Sequence, residues 1–186
     1  MTPILGTIAS QISGHLAAPD LGSFFPIRSY VVPATAQSSI TFSSIPATYT
    51  HLQVRGIMLN GSAVDNWMQF NSDTGSNYSY HQLVGSGTAA SSSSVASASK
   101  IPFGYIDGTS SQPSSFVCDI LDYANTNKYK TSRMLWGYET NAATYADIRI
   151  ISGNWRNTNA ITSITIYPNS GNFNTYSSFA LYGVMA

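Results

Sequence analysis

Hydrophobic and polar residues alternate in short segments from residue 38 to the end of this 186-residue chain. In "SSITFS" the side chains of Ile40 and Phe42 fall on one side, and in "THLQVRGIML" Leu52 and Val54 oppose polar neighbours. Successive side chains of a strand point to opposite faces, so a period of two indicates strands with one covered face. Further segments of this kind are "NWMQFN", "YSYHQLVG", "FVCDILDYA", "SRMLWGYE", "YADIRIISG", "AITSITIYP" and "SSFALYGVM".

These segments make about nine strands, and no convincing helix follows residue 37. They predict an all-β fold in which two antiparallel sheets pack as a sandwich, with a jelly roll as the specific topology. The last segment runs to the chain end, so we expect the C-terminus to be tied into a sheet. The stretch "GSGTAASSSSVASAS" (85–99) is of low complexity and predicts a flexible surface loop.

Residues 1–37 lack this alternation and are punctuated by four prolines. Five apolar residues share one face of a helix at their spacing: Ile4, Leu5, Ile8, Ile12 and Leu16. One interpretation is a helix packed on its own domain, and the other is an arm that anchors the protein or joins copies of it. A short helix with two glycines is marginal alone and needs a partner surface, which favours an extended or short-helical arm. The predicted organisation is an arm over 1–37 and a sandwich over 38–186.

The composition favours a protein that assembles. Charged residues make up 9% of the chain, whereas an ordinary soluble domain has about 25%. Solubility therefore depends on 29 serines, 17 threonines and 13 asparagines, whose neutral surface is easily desolvated against copies or a scaffold. Eight basic and eight acidic residues cancel, which disfavours nucleic acid and anionic membrane as partners. No apolar run approaches the ~18 residues of a membrane helix.

No constellation for catalysis or for metal binding is visible. His15, His51 and His81 are far apart in sequence, and neither paired-histidine nor C-x-x-C spacing occurs. The serines do not form a nucleophile elbow, and phosphate-binding and dinucleotide-binding loops are missing. Cys118 is the single cysteine, and its apolar neighbours predict a buried thiol. We therefore predict a protein that is not an enzyme and that has no catalytic residue, metal or cofactor.

The stretch "DILDYANTNKYKTSRMLWGYE" (119–139) contains the residues that come nearest to suggesting an enzyme. Asp119 and Asp122 are the obvious pair for glycoside hydrolysis, which needs two carboxylates about 5–10 Å apart. Residues three apart in a strand point to opposite faces, so the pair would need a bulge to converge. We therefore interpret the stretch as a hairpin, in which Lys128 and Lys130 form a crown facing solvent or a neighbouring chain.

Glycan binding is harder to dismiss. Three tryptophans and twelve tyrosines, interleaved with amides and hydroxyls, are typical of surfaces on which sugar rings stack. Aromatic residues are equally normal inside β structure. Tyr78 and Tyr80, which share one strand face, are the candidate contacts together with Trp67.

Several segments together resemble a group of small virion proteins of tailed bacteriophages. They are "ILGTIASQISG" at the start, "ITFSSIPATYTHLQVRG" (40–56), "FNSDTGSNYSYHQLVGSG" (70–87), "DILDYANTNKYKT" (119–131) and "AITSITIYPNSGNF" with "SSFALYGVM" (160–185). The resemblance implies a β-sandwich virion component on a phage head or tail, commonly a trimer, without catalytic residues. Our first hypothesis is a capsid decoration (cement) or short head-fibre protein on the outside of the particle that contacts the major capsid or tail protein. The alternative is a tail appendage that binds a host glycan.

Overall fold

A computed structural model describes residues 23–108, 112–141 and 146–185. The predicted arm residues Ile4, Leu5, Ile8, Ile12 and Leu16 lie outside the described residues. The described chain forms twelve strands. They are β1 (Phe24–Val31), β2 (Ile40–Phe42), β3 (His51–Met58), β4 (Ala63–Phe70), β5 (Tyr78–Gly85), β6 (Ala90–Ala98), β7 (Ile101–Asp107), β8 (Ser114–Leu121), β9 (Lys130–Tyr138), β10 (Asp147–Trp155), β11 (Ile164–Pro168) and β12 (Ser178–Val184).

The strands form two antiparallel sheets that pack face to face. The larger sheet has eight strands in the order β1-β12-β3-β8-β9-β10-β5-β6, and the smaller has the order β2-β11-β4-β7. The predicted all-β antiparallel sandwich is thus confirmed, and so is a C-terminal strand inside a sheet, since β12 pairs with both β1 and β3. The jelly-roll topology is not confirmed, because the strands divide into eight and four.

The core lies between the sheets and is bridged by aromatic rings. Phe103 of the small sheet meets Phe116 of the large sheet edge to face, with ring centroids 4.7 Å apart. Phe116 contacts Phe179 at 5.8 Å, and Phe179 contacts Phe173 at 5.0 Å. Burying each ring contributes about 2–3 kcal/mol. The core-facing residues are those at alternate positions in the sequence, because the pleat sends every second side chain inward.

The predicted boundary between arm and sandwich at residue 37 does not match the structure. Strand β1 pairs with β12 from Phe24 to Val31, so it forms one edge of the large sheet. Val32 is buried in the core, and Gln37 bridges to Phe173. Sequence alternation missed this strand because a bulge after Pro26 shifts its register.

The Ser-rich stretch 85–99 is mostly a strand rather than the predicted loop. Strand β6 pairs with β5 and forms the other edge of the large sheet. Its side chains are exposed over most of its length, so no hydrophobic period could reveal it. Backbone hydrogen bonds hold it in place, together with the bond from Gln82 Nε2 to Ser93 Oγ at 2.8 Å.

Candidate binding surfaces

The outer face of the large sheet carries a row of aliphatic side chains. The register aligns Val117, Leu135, Ile150 and Leu83 on four neighbouring strands, and Ile148 lies beside them. All point away from the small sheet. Leu135, Ile148, Ile150 and Leu83 are between 46% and 57% exposed. We call Val117, Leu135, Ile150, Leu83 and Ile148 the aliphatic row. Contiguous exposed apolar side chains of this kind mark interaction sites on soluble proteins.

A row of polar residues lies next to the aliphatic row on the same face of the large sheet. Asp119 and Arg133 are cross-strand partners on β8 and β9. Asp119 accepts a hydrogen bond from Gln53, and Arg133 donates to Ser152. Arg55 also donates to Gln53, and its guanidinium lies over the rings of Phe24 and Tyr182, with centroid distances of 4.8 and 5.5 Å. The charged groups of this face are therefore already bonded within the chain.

A groove of about 670 Å³ opens at the end of the aliphatic row. Val117, Leu135 and Ile148 form its walls, and Gly137 leaves its floor without a side chain. Ser115 is the cross-strand partner of Gly137, so the two central strands carry small residues here. Another surface could approach this part of the sheet closely.

The outer face of the small sheet carries an aromatic patch instead. Trp67 and Tyr167 are cross-strand partners on β4 and β11, and both are half-buried. Lys100 Nζ lies 4.2 Å from the centroid of the Trp67 ring, which is a cation–π contact. The Trp67 Nε1 atom is buried without a hydrogen-bond partner in the structure. This patch could accept a sugar ring if Lys100 moved aside.

Of the three predicted glycan contacts, only Trp67 lies in this patch. Tyr78 and Tyr80 do share one strand face, but that face points into the molecule. Tyr78 is fully buried, and its hydroxyl accepts a hydrogen bond from the Phe70 N–H at 3.0 Å. Burial raises the pKa of the Tyr78 hydroxyl. Tyr78 as a glycan contact is wrong, because its ring cannot reach a sugar. Tyr80 is partly buried against the core.

A buried polar row closes one end of the sandwich. Lys130, Trp155 and Tyr78 are neighbours on β9, β10 and β5, and each has its polar atom bonded. Trp155 Nε1 donates to Asp73 Oδ2 at 2.7 Å. Asn77 and the Gly75 N–H also donate to the Asp73 carboxylate, at 2.9 Å each. Burial alone would raise the pKa of Asp73, but these hydrogen bonds outweigh it and lower the pKa below its usual value.

Lys130 is not part of the crown that the sequence predicted. It is 0% exposed, and its Nζ donates to the carbonyl oxygens of Asn125, Lys128 and Thr158. Desolvation by burial lowers the pKa of its ammonium. Lys128 is exposed and pairs with Asp122 of its own hairpin. A sequence rule that places lysine on the surface could not find Lys130, because the carbonyls that bind it come from two loops.

The predicted separation of the two candidate acids fits the structure. Asp119 lies in β8 on the outer face, whereas Asp122 follows the strand in a left-handed turn conformation, with φ of 48°. Hydrogen bonding by Lys128 lowers the pKa of Asp122. The Asp122 N–H donates to His51 Nδ1 at 2.9 Å. Each acid thus has structural partners of its own.

The opposite end of the sandwich is less completely bonded. Arg149 lies 5.0 Å from the Trp136 ring centroid and forms a 2.8 Å ion pair with Asp147. Trp136 Nε1 and Arg149 Nε are buried without hydrogen-bond partners. Gly104, with φ of 97°, lies against the Trp136 indole, and a Cβ there would come within 2.5 Å of Nε1. The Gly104 backbone therefore packs directly against the indole, whose N–H has no acceptor in the structure.

Within the described ranges, no three His, Cys, Asp or Glu side chains are grouped so that they could hold a metal ion. Cys118 is buried, as predicted, and desolvation raises the pKa of its thiol. The described segments include no helix long and apolar enough to cross a membrane. Comparisons with protein-family models, with curated proteins and with solved structures found no match for this chain.

Proposed function

We propose that this chain is a non-enzymatic structural protein of a bacteriophage virion, most specifically an external capsid decoration (cement) or short head-fibre component that assembles as an oligomer. The observation that carries the proposal is the outer face of the large sheet. The aliphatic row is exposed there, and the charged side chains beside it on the described strands, Asp119, Arg133 and Arg55, are already hydrogen-bonded within the chain. Such a face suits a building block of an assembly, because no unpaired charge on these strands has to be desolvated when it is covered.

The resemblance of the sequence to small phage virion proteins supports the particle as the place of assembly. The low charge of the whole chain, at 9%, supports the same proposal, since most of its surface can be covered by neighbours. The expected partners are copies of the chain and the major capsid or tail protein. The expected location is the outside of the particle.

Purified particles produced by the genome that encodes this chain provide the test. We expect mass spectrometry to find the chain in them, and cryo-electron microscopy to place a β-sandwich on their outer surface. A variant that lacks residues 1–20 should remain folded, as judged by circular dichroism, but should no longer join the particle. If the chain is absent from intact particles, the proposed function is wrong. Full incorporation of the truncated variant would overturn the anchoring role of the arm.

The aromatic patch favours a second candidate function, a tail appendage that binds a host glycan. Trp67 and Tyr167 offer two adjacent rings on a sheet face, and Gln69 and Thr165 supply polar groups beside them. We expect binding of host polysaccharide to be weakened about 10-fold by Trp67→Ala, because a stacked aromatic ring contributes about 0.5–1.5 kcal/mol beyond the area that it buries. Tyr129→Ala, in the exposed hairpin tip, is the matched control. Equal binding by both variants would exclude the patch as the glycan site.

A further inference from the structure

The centre of the large sheet falls between β8 and β9, since four strands lie on each side of that line. A two-fold axis along the strands at this line would lay the outer face of one copy onto the same face of a second copy. Two sheets packed in this way lie about 10 Å apart, with their strands within about 30° of each other. The residues on β8 of one copy then face those on β9 of the other.

This operation pairs residues that complement each other. Val117 of one copy would face Leu135 of the second, so the β8–β9 end of the aliphatic row would be covered on both copies. Ile150 would face Arg55 of the second copy, whose guanidinium is already bonded to Gln53 within its own chain. Asp119 would face Arg133 of the second copy, which places opposite charges together twice across the axis. Ser115 would face Gly137, and these small residues would allow the sheets to approach. Self-complementarity of this kind is what an isologous interface requires.

The face is also large enough. Eight strands, each about eight residues long, make a face of about 38 by 26 Å, or roughly 1,000 Å² in plan. A stable interface buries about 800 Å² per partner, which is less than the area of this face. The outermost strands, which sheet twist bends away from the second copy, therefore need not be covered.

We propose that a second copy of this chain covers the outer face of the large sheet, in a two-fold pair centred between β8 and β9. The proposal deepens the proposed function, because it names the partner of the face on which that function rests. It replaces the trimer implied by the resemblance with a pair. The surface lies in the sandwich itself and not in the N-terminal arm.

Light scattering on the purified full-length chain provides the first test. We expect a mass twice the 20.0 kDa of one chain. Leu135→Lys should shift the protein to monomer, with a dissociation constant raised roughly 100-fold, because it would bury an unpaired charge at the centre of the interface. Tyr129→Lys is the control, since Tyr129 is 54% exposed in the hairpin tip and outside the face. It should leave the mass unchanged.

A charge exchange gives the second test. Asp119→Arg alone would set two arginines against each other across each half of the interface, and it should weaken the pair about 10-fold or more. The double variant Asp119→Arg with Arg133→Asp should restore pairing, because the opposite charges again face each other. Because Asp119 and Arg133 are also cross-strand partners within one chain, the double variant would repair a clash inside the chain as well. Mixing the Asp119→Arg chain with the Arg133→Asp chain distinguishes the two cases, because opposite charges then face each other only between chains. Recovery of the pair in the mixture, but in neither variant alone, is the expected result.

A wild-type chain that stays monomeric at its highest soluble concentration would overturn the proposal. So would an oligomer that both Leu135→Lys and Asp119→Arg leave intact. The result is independent of the particle experiment. A paired chain that is absent from particles would contradict the proposed function alone, whereas a monomeric chain found in particles would contradict the pair alone.

Discussion

Trp155 and Trp136 are each 1% exposed and lie near opposite ends of the sandwich, yet their indole N–H groups are in opposite situations. The Trp155 N–H donates to Asp73, whereas the Trp136 N–H has no partner. At the first end, loops provide acceptors for the buried ammonium of Lys130, and Trp155, Asn77 and Gly75 provide donors for the half-buried carboxylate of Asp73. At the second end, the Gly104 backbone packs against the Trp136 indole, and the described residues supply no acceptor to its N–H.

The difference shows that burial and polar satisfaction are separate properties of a site. A buried donor without a partner costs about 1–3 kcal/mol. The sandwich bears this cost at the Trp136 end and avoids it at the Trp155 end. We therefore expect the removal of a polar group to change the free energy of unfolding by different amounts at the two ends, even where the side chains are equally buried.

The largest effect should come from removing the buried ammonium. Lys130→Met keeps the apolar stem but leaves three carbonyl oxygens without their donor, so the free energy of unfolding should fall by roughly 3 kcal/mol. Urea denaturation followed by tryptophan fluorescence measures this. Lys128→Met is the control, because its exposed pair with Asp122 should contribute less than about 1 kcal/mol. Similar losses from both variants would show that the carbonyl contacts of Lys130 do not stabilise the fold.

The two tryptophans allow a direct comparison. Trp155→Phe and Trp136→Phe remove the same ring volume from equally buried positions, but only the first removes a hydrogen bond. Trp155→Phe should lower the free energy of unfolding by about 1–2 kcal/mol more than Trp136→Phe does. Equal losses in urea denaturation would mean that the bond to Asp73 contributes nothing net.

The smallest effect is a dependence on pH that is confined to the Trp155 end. The pKa of Asp73 is lower in the folded protein than in the unfolded chain, so its stabilisation is present above the unfolded pKa of about 3.9. That stabilisation is lost as the pH falls through the folded pKa. Asp73→Asn should therefore flatten the decline of unfolding free energy between about pH 5 and pH 2.

Asp122→Asn measures the second contribution to this pH dependence. The pKa of Asp122 is also lowered, through its hydrogen bond from Lys128, so part of the decline belongs to the hairpin. The double variant should be flatter than either single variant. An unchanged slope in Asp73→Asn would show that the hydrogen bonds at this end do not favour the ionised carboxylate.

Strand alternation was enough to predict the core of the fold. Ile40, Phe42, Leu52 and Val54 were placed on covered faces, and all four are buried. The method failed where side-chain burial does not follow a period of two. Strand β6 has almost no covered side chains, and β1 contains a bulge, so neither showed the pattern.

The candidate surfaces were predicted less well than the fold. Trp67 was found because a tryptophan among polar residues is conspicuous. Leu83, Leu135 and Ile150 were not found, because each occupies an ordinary strand position in sequence. They form a row only because three strands, β5, β9 and β10, place them side by side, and β5 is far from β10 along the chain.

The sequence by itself determined that this chain is an antiparallel β-sandwich with few charges, because side-chain period and composition are local properties. Only the tertiary structure decided which side chains meet and which remain uncovered. It placed Lys130 and Tyr78 in the interior, and it left the aliphatic row exposed on one face of the large sheet. The physical reason is that strand order and register set these neighbours, and both depend on contacts between segments that are distant in sequence.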